Sequence, residues 1–202
     1  LPTPPATDVV VPVWNGNEFL LSDGSRPTIR TFTPRRLDLD ALELDLDMVI
    51  HEGGIAATWA EAATPGKQAA ISGPGRGYAI DAAASEFLLV GDEAAIPAMA
   101  QLLEHLPTAV PVRVHIELAH LDARVELPTH PRASTVWHEL APGEPSGHAL
   151  IAAVEAAQIG SESRIWCAGE AAAMHRIRTN LFSERELPRS QATVRGYWKM
   201  TR

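Results

Sequence analysis

The chain has 202 residues, 46% hydrophobic and 21% charged, so it can bury one large core or two small ones and is neither a disordered tail nor a coiled coil. A formal net charge of -8 removes a general electrostatic grip on nucleic acid, which needs a clustered basic face. A single cysteine, Cys167, excludes an internal disulfide and a cysteine-rich metal site and agrees with a reducing compartment. No apolar run reaches the ~20 residues of a membrane helix, so no integral membrane segment is expected. Residues 1–7 are proline-rich and lack the basic start of a signal peptide. Because the chain opens on Leu1 rather than Met, its native N-terminus is expected to be missing, cleaved or disordered.

The front third reads as β. A short apolar run covers residues 9–13, Asn15-Gly16-Asn17 signals a turn, and Ser22-Asp23-Gly24-Ser25 signals another. Leu42, Leu44, Leu46, Met48 and Ile50 alternate with Glu43, Asp45 and Asp47, which predicts a strand with one aliphatic and one acidic face. Glycine and proline then cluster at Gly53-Gly54, Pro65-Gly66 and the run at 73–77. Short strands with intervening turns predict an antiparallel barrel or sandwich.

Near Ser85 the pattern changes. The apolar run 87–90 ends at Gly91 and a helical pattern follows over 95–106. Strands are predicted at 112–118, 136–137, 165–168 and 194–198, and helices at 149–158 and 170–186. Strands alternating with helices predict a parallel, doubly wound sheet, whose ligands lie beyond the carboxyl ends of the strands. Gly91-Asp92-Glu93 and Gly169-Glu170 fall at that edge.

Four segments offer chemistry. In Arg30-Thr31-Phe32-Thr33-Pro34-Arg35 a guanidinium can hold a pyrophosphate, a ring can stack on a flavin, and a hydroxyl can bond the flavin edge, although an ordinary strand would read the same way. In His51-Glu52-Gly53-Gly54-Ile55-Ala56-Ala57-Thr58, glycines ahead of a helix let amides face an anion; a plain turn capped by Thr58 is the structural alternative. Gly91-Asp92-Glu93 before Pro97 marks a strand end and a helix start. Its acids suit capping or a ribose hydroxyl better than a phosphate, and it is not the glycine-rich dinucleotide fingerprint. The last segment pairs Trp166-Cys167-Ala168-Gly169-Glu170 with Gly196-Tyr197-Trp198-Lys199. The histidines, among them His115 and His138 on predicted strands, have no metal-ligand spacing, and no Ser-His-Asp arrangement is readable.

In this order, from about Arg26 to Lys199, the segments resemble the siderophore-interacting proteins, flavin reductases of the vibriobactin-utilisation type. The resemblance implies a ferredoxin-reductase-like α+β protein of two domains. An antiparallel flavin-binding β-barrel lacking its first strands would occupy residues 1–84, and a parallel α/β domain binding NAD(P)H would occupy 85–202. By the same resemblance, Arg30, Phe32, Thr33 and Arg35 contact FAD. His51, Gly53, Gly54, Ala57 and Thr58 wrap the isoalloxazine and pyrophosphate, while Gly91, Asp92 and Glu93 with Ala168, Gly169 and Glu170 line the nicotinamide nucleotide site. Arg195 and Lys199, expected to share a strand face and to stand close to Arg202, would hold an anionic ferric siderophore.

The chain departs from the family pattern at Phe32, where Tyr is usual, at Glu52 for Gly, at Ala94 for Thr, and at Met200-Thr201 for a basic residue and Gly. The implied activity is cytoplasmic reduction of a ferric siderophore through FAD, with NAD(P)H or a ferredoxin as donor. A general NAD(P)H:flavin or ferredoxin-type oxidoreductase, and a siderophore-binding module without redox activity, are the competing readings.

Overall fold

The computed structural model describes residues 9–73, 75 and 77–200. The proline-rich start, Pro74 and Arg76 of the 73–77 run, and Thr201 and Arg202 lie outside the described residues. The chain divides into two compact units, Leu1–Thr33 with Leu46–Tyr78, and Pro34–Asp45 with Ala79–Arg202.

In the first unit β1 (Val13–Trp14) pairs antiparallel with β2 (Phe19–Leu20). The turn forms because Asn15 Oδ1 accepts the N–H groups of Asn17 and Glu18, each at 2.9 Å, while Gly16 takes φ +101°. Only Val13 of the expected run 9–13 enters the strand. Helix α1 (Ile55–Glu61) follows the glycine block and buries Ala56 and Ala57.

The second unit opens with a hairpin of β3 (Pro34–Asp38) and β4 (Glu43–Leu46). The nine-residue strand expected over 42–50 is therefore only four residues long. Asp38 Oδ1 accepts from Asp40 and Ala41 in the turn, and Leu42 sits in that turn at φ +57°. Past Leu46 no strand continues the run to Ile50.

Five parallel strands make the main sheet: β5 (Glu86–Asp92), β6 (Val112–Leu118), β7 (Ala133–Glu139), β8 (Ser163–Glu170) and β9 (Ala192–Trp198), in the order β7-β6-β5-β8-β9. Helices α2 (Ile96–His105), α3 (His148–Ala156) and α4 (Ala171–Thr179) form three of the four crossovers, and the β6–β7 connection carries only a 3-10 turn at Leu121–Ala123. β5 reads as a continuous apolar run because both of its faces are covered. Leu88, Val90, Ile165 and Cys167 pack under α3 and α4 against Leu150, Val154, Met174 and Ile177. Phe87 and Leu89 alternate to the other face and are fully buried. Each such side chain contributes about 1.5–3 kcal/mol. β7 is seven residues where two were expected, because its backbone pairs along all of β6 although its outward side chains are polar or exposed. The helix expected to reach Glu186 stops being regular at Thr179 and widens into a π turn over Asn180–Glu184. The strand order reverses direction between β5 and β8, which places the switch-point crevice at their carboxyl ends.

Candidate functional site

The switch point is closed by one carboxylate. Asp92, the last residue of β5, is 7% exposed. Its Oδ1 accepts the N–H of Ala94 at 3.0 Å and starts the turn into α2. Its Oδ2 accepts the N–H of Glu170 at 2.9 Å, across the crevice on β8, and the indole N–H of Trp198 on β9 at 2.7 Å. Two glycines make the approach possible. A Cβ on Gly169 would stand 2.6 Å from Asp92 Oδ2, and a Cβ on Gly91 would stand 2.7 Å from the carbonyl oxygen of Ala168. Burial pushes the Asp92 carboxyl up to about 6, against the pull of the Trp198, Ala94 and Glu170 donors and with help from the Glu117 charge.

Glu117, the register partner of Asp92 on β6, is 3% exposed. Its carboxylate accepts the N–H groups of Gly147 and Ala149 and caps α3 from outside that helix. Glu170 caps α4 by accepting from Ala172 and Ala173. Glu93 Oε1 accepts the N–H of Ala119 at 2.6 Å. The turn that leads into α2 and the starts of α3 and α4 thus already hold protein carboxylates. Helix starts ordinarily attract anions, and here that attraction is met from within the chain.

The closing strand carries the last expected segment. Gly169 pairs with Gly196 and Glu170 with Trp198, so Tyr197 is an extra, bulged residue. The extra residue shifts the side-chain alternation by one. The even spacing of Arg195 and Lys199 therefore does not by itself assign them a common face, and Lys199 lies one residue past the strand. Arg195 is half-buried and Lys199 exposed, while Tyr197 and Trp198 are 39% and 38% exposed. Arg202 is outside the described residues.

The candidate flavin residues fall largely in the first unit, Arg30, Phe32 and Thr33 on irregular chain and His51, Gly53, Gly54, Ala57 and Thr58 at and within the start of α1. Arg30 is exposed, with its guanidinium bonded to the carbonyl of Ile29 at 3.0 Å; Phe32 and Thr33 are half-buried. The ring of His51 stands 2.6 Å from where a Cβ on Gly54 would be, so that glycine admits it. Thr58 is an exposed residue inside the helix and does not cap it. The residues fit FAD on two counts. The first turn of α1 has neither an acidic residue nor a side-chain cap, so no carboxylate competes with a phosphate there. The indole N–H of Trp59, in the same helix, is buried without a partner among the described residues, a donor that a polar cofactor edge would satisfy. Arg35 belongs to the second unit, where it pairs with Glu104 of α2 at 2.9 Å. With Gln101 and His105 they line an open hollow of about 620 Å³.

Sequence reasoning missed three features. Glu117 was hidden among the polar residues Arg113 and His115 of β6, and nothing local distinguishes it as the buried one. The bond from Trp198 to Asp92 spans 106 residues. His115 and His138, on neighbouring strands, stack with ring centres 5.3 Å apart and share a 3.1 Å hydrogen bond; burial, His138 and Arg113 hold His115 below its usual value. No group of three or more His, Cys, Asp or Glu arranged to hold a metal ion occurs among the described residues.

A parallel sheet of this order with an aromatic closing strand at its ligand edge, joined in sequence to small antiparallel sheets, defines a ferredoxin-reductase-like protein. Residues 84–201 match the siderophore-interacting protein family and residues 1–78 its siderophore-interacting FAD-binding domain, and the chain belongs to that family. An uncharacterised Mycobacterium tuberculosis protein is 38% identical over 194 residues, covering 90% of this chain and 69% of its own. Ferric vibriobactin reductase ViuB of Vibrio cholerae is 27% identical over 194 residues, covering 94% and 70%. The crystal structure of a siderophore utilization protein from T. fusca superposes with a TM-score of 0.79 at 29% identity, covering 100% of this chain and 78% of that one. Among the described residues, no helix is long and apolar enough to cross a membrane.

Proposed function

We propose that this chain reduces a ferric siderophore through FAD, with NAD(P)H as donor, in the cytoplasm. The observation that carries the reading is the match of residues 1–78 to a siderophore-interacting FAD-binding domain in the same chain as the switch-point sheet. The similarity to a ferric vibriobactin reductase supports it. We take residues 1–84 as the flavin part and 85–202 as the donor part.

Bound FAD would supply the conversion between a two-electron hydride donor and one-electron reduction of Fe(III). The protein's own residues bind and orient. Arg30 would pair with phosphate oxygens, Phe32 would stack on the ring system, Thr33 would offer a hydroxyl to its edge, and the 51–58 block would close round it. Arg35 would add a second guanidinium. Gly91 to Glu93 with Ala168 to Glu170 would shape the donor crevice. Arg195 and Lys199 would give local positive charge to a protein whose net charge is -8. No protein nucleophile is required, which agrees with the absence of a readable triad.

One observation favours a second reading of the donor. Asp92, Glu117 and Glu170 place three carboxylates on backbone N–H groups at the carboxyl edge, which a dinucleotide pyrophosphate would have to face, whereas a ferredoxin needs no helix start. Anaerobic flavin bleaching with NADH, NADPH and reduced ferredoxin in turn decides between them. Bleaching by either nucleotide supports the first reading; bleaching by ferredoxin alone supports the second; bleaching by none removes the reductase assignment.

A further inference from the structure

Asp92 stands where sequence reasoning expects a wall of the nucleotide site, yet its oxygens face inward. Three N–H donors from three different strands or turns converge on a side chain only 7% exposed. Such a group has little surface to offer a ligand. One of those donors, the indole of Trp198, sits at the end of β9, immediately after the bulge at Tyr197 and immediately before Lys199. Bulges re-aim the chain that follows them, and a strand end that has left its register needs another tether. Asp92 provides it at 2.7 Å, with a charge-assisted bond, and Glu170 Oε1 adds a weaker one to the N–H of Met200 at 3.5 Å.

We propose that Asp92 is a positioning residue for the acceptor side of the reaction: through Trp198 it fixes the bulged end of β9, and so places Lys199 to receive the anionic ferric complex. The inference rests on the reading of Lys199 as a siderophore contact. Gly169 gives the Asp92 carboxylate its room.

The test uses the flavin-loaded chain with the iron(III) complex of 2,3-dihydroxybenzoate as acceptor and the variants D92N, W198F and D92N/W198F. Trp198→Phe keeps an aromatic ring at this 38% exposed position and removes the N–H donor together with part of the indole's volume, so the D92N variant, which leaves the indole intact, is its control. The expected result is an acceptor Kd and KM raised about tenfold by each single change, as for loss of one hydrogen bond to a charged group. The double variant should be no worse than the weaker single, and the KM for the electron donor should hold within about twofold in W198F. The indole ¹H–¹⁵N resonance that disappears in W198F should shift in D92N, and this readout needs neither flavin nor donor. A W198F variant with wild-type acceptor affinity, additive losses in the double variant, or an indole resonance unmoved by D92N would each overturn the proposal. If K199A alone leaves acceptor binding intact while the indole resonance responds to D92N, the tether stands but the siderophore reading of Lys199 fails, and the proposal falls with it.

Discussion

Glu117 and Ala149 are 32 residues apart in sequence and joined by a 2.9 Å hydrogen bond from the Ala149 N–H to a carboxylate that is 3% exposed. A strand side chain thus does what a capping residue next to the helix normally does, because Gly147 at the N-cap position has no side chain to do it. A Cβ on that glycine would lie 2.2 Å from the Cβ of Ala173, so a local cap is excluded by packing against α4. Glu117→Gln should therefore cost about 1–3 kcal/mol, since the amide turns a donor toward N–H groups that need acceptors. Urea unfolding measures it, and a change below about 0.5 kcal/mol would contradict the role.

Asp92 makes a pH-dependent contribution whose sign is opposite to that of a paired surface acid. Its carboxyl titrates near 3.8 when exposed and is pushed up to about 6 in the fold, mainly by burial. Below about pH 4 both states hold the proton and the contribution is fully present. Between about 4 and 6 the folded form holds a proton that the unfolded form has lost, so stability falls as pH rises, by an amount on the order of 3 kcal/mol. Asp81 and Glu184, held below their usual range by hydrogen bonds and neighbouring arginines, act the other way, so the wild type alone does not isolate the effect. The stability of wild type minus that of D92N should fall from pH 4 to pH 6. A difference that is flat across that window would show that Asp92 does not titrate there.

Gly169→Ala tests the crowding at the switch point. The added Cβ would meet Asp92 Oδ2 at 2.6 Å on a residue whose φ is +158°. Overpacking of this kind costs about 1–3 kcal/mol. Chemical denaturation should show that loss, and the Trp198 indole resonance should move with it. A variant of unchanged stability would mean that the carboxylate has another place to go.

Much of this was legible in the sequence, for a physical reason. The apolar centres of β5 and β8 are buried on both faces and read as continuous runs, and β6 alternates buried Val112, Val114 and Ile116 with half-buried Arg113 and His115, so the positions of all three and the parallel sheet could be read directly. Gly91-Asp92 and Gly169-Glu170 could likewise be placed at the carboxyl edge. The hairpin at Asp38 was not legible, because the alternation of leucine and acid continues smoothly through Leu42, which the backbone puts in a turn. The bulge at Tyr197 was not legible either, since it is defined by pairing with β8 and not by composition, and it undid the argument that Arg195 and Lys199 share a face. The roles of Asp92 and Glu117 depend on partners up to 106 residues away, which no local pattern encodes.

Arg30→Ala should lose flavin during purification. The guanidinium is exposed and, among the described residues, is bonded to the carbonyl of Ile29, so it can turn to a phosphate, and removal of one charge-assisted contact weakens binding about tenfold or more. Flavin absorbance per protein reads the outcome. Retention at wild-type stoichiometry and affinity would remove Arg30 from the flavin site.

The central claim is that iron leaves the siderophore by reduction on this protein. The direct measurement is anaerobic Fe(II) formation from an anionic ferric siderophore, followed with an Fe(II)-specific chelator, after the protein's flavin has been reduced and excess donor removed. Each reduced flavin carries two electrons and each Fe(III) takes one, so the account predicts about two Fe(II) per flavin, with the flavin spectrum returning to the oxidised form in step. Siderophore bound with no Fe(II) formed, and a flavin spectrum that stays reduced, would contradict it and leave a binding module in its place.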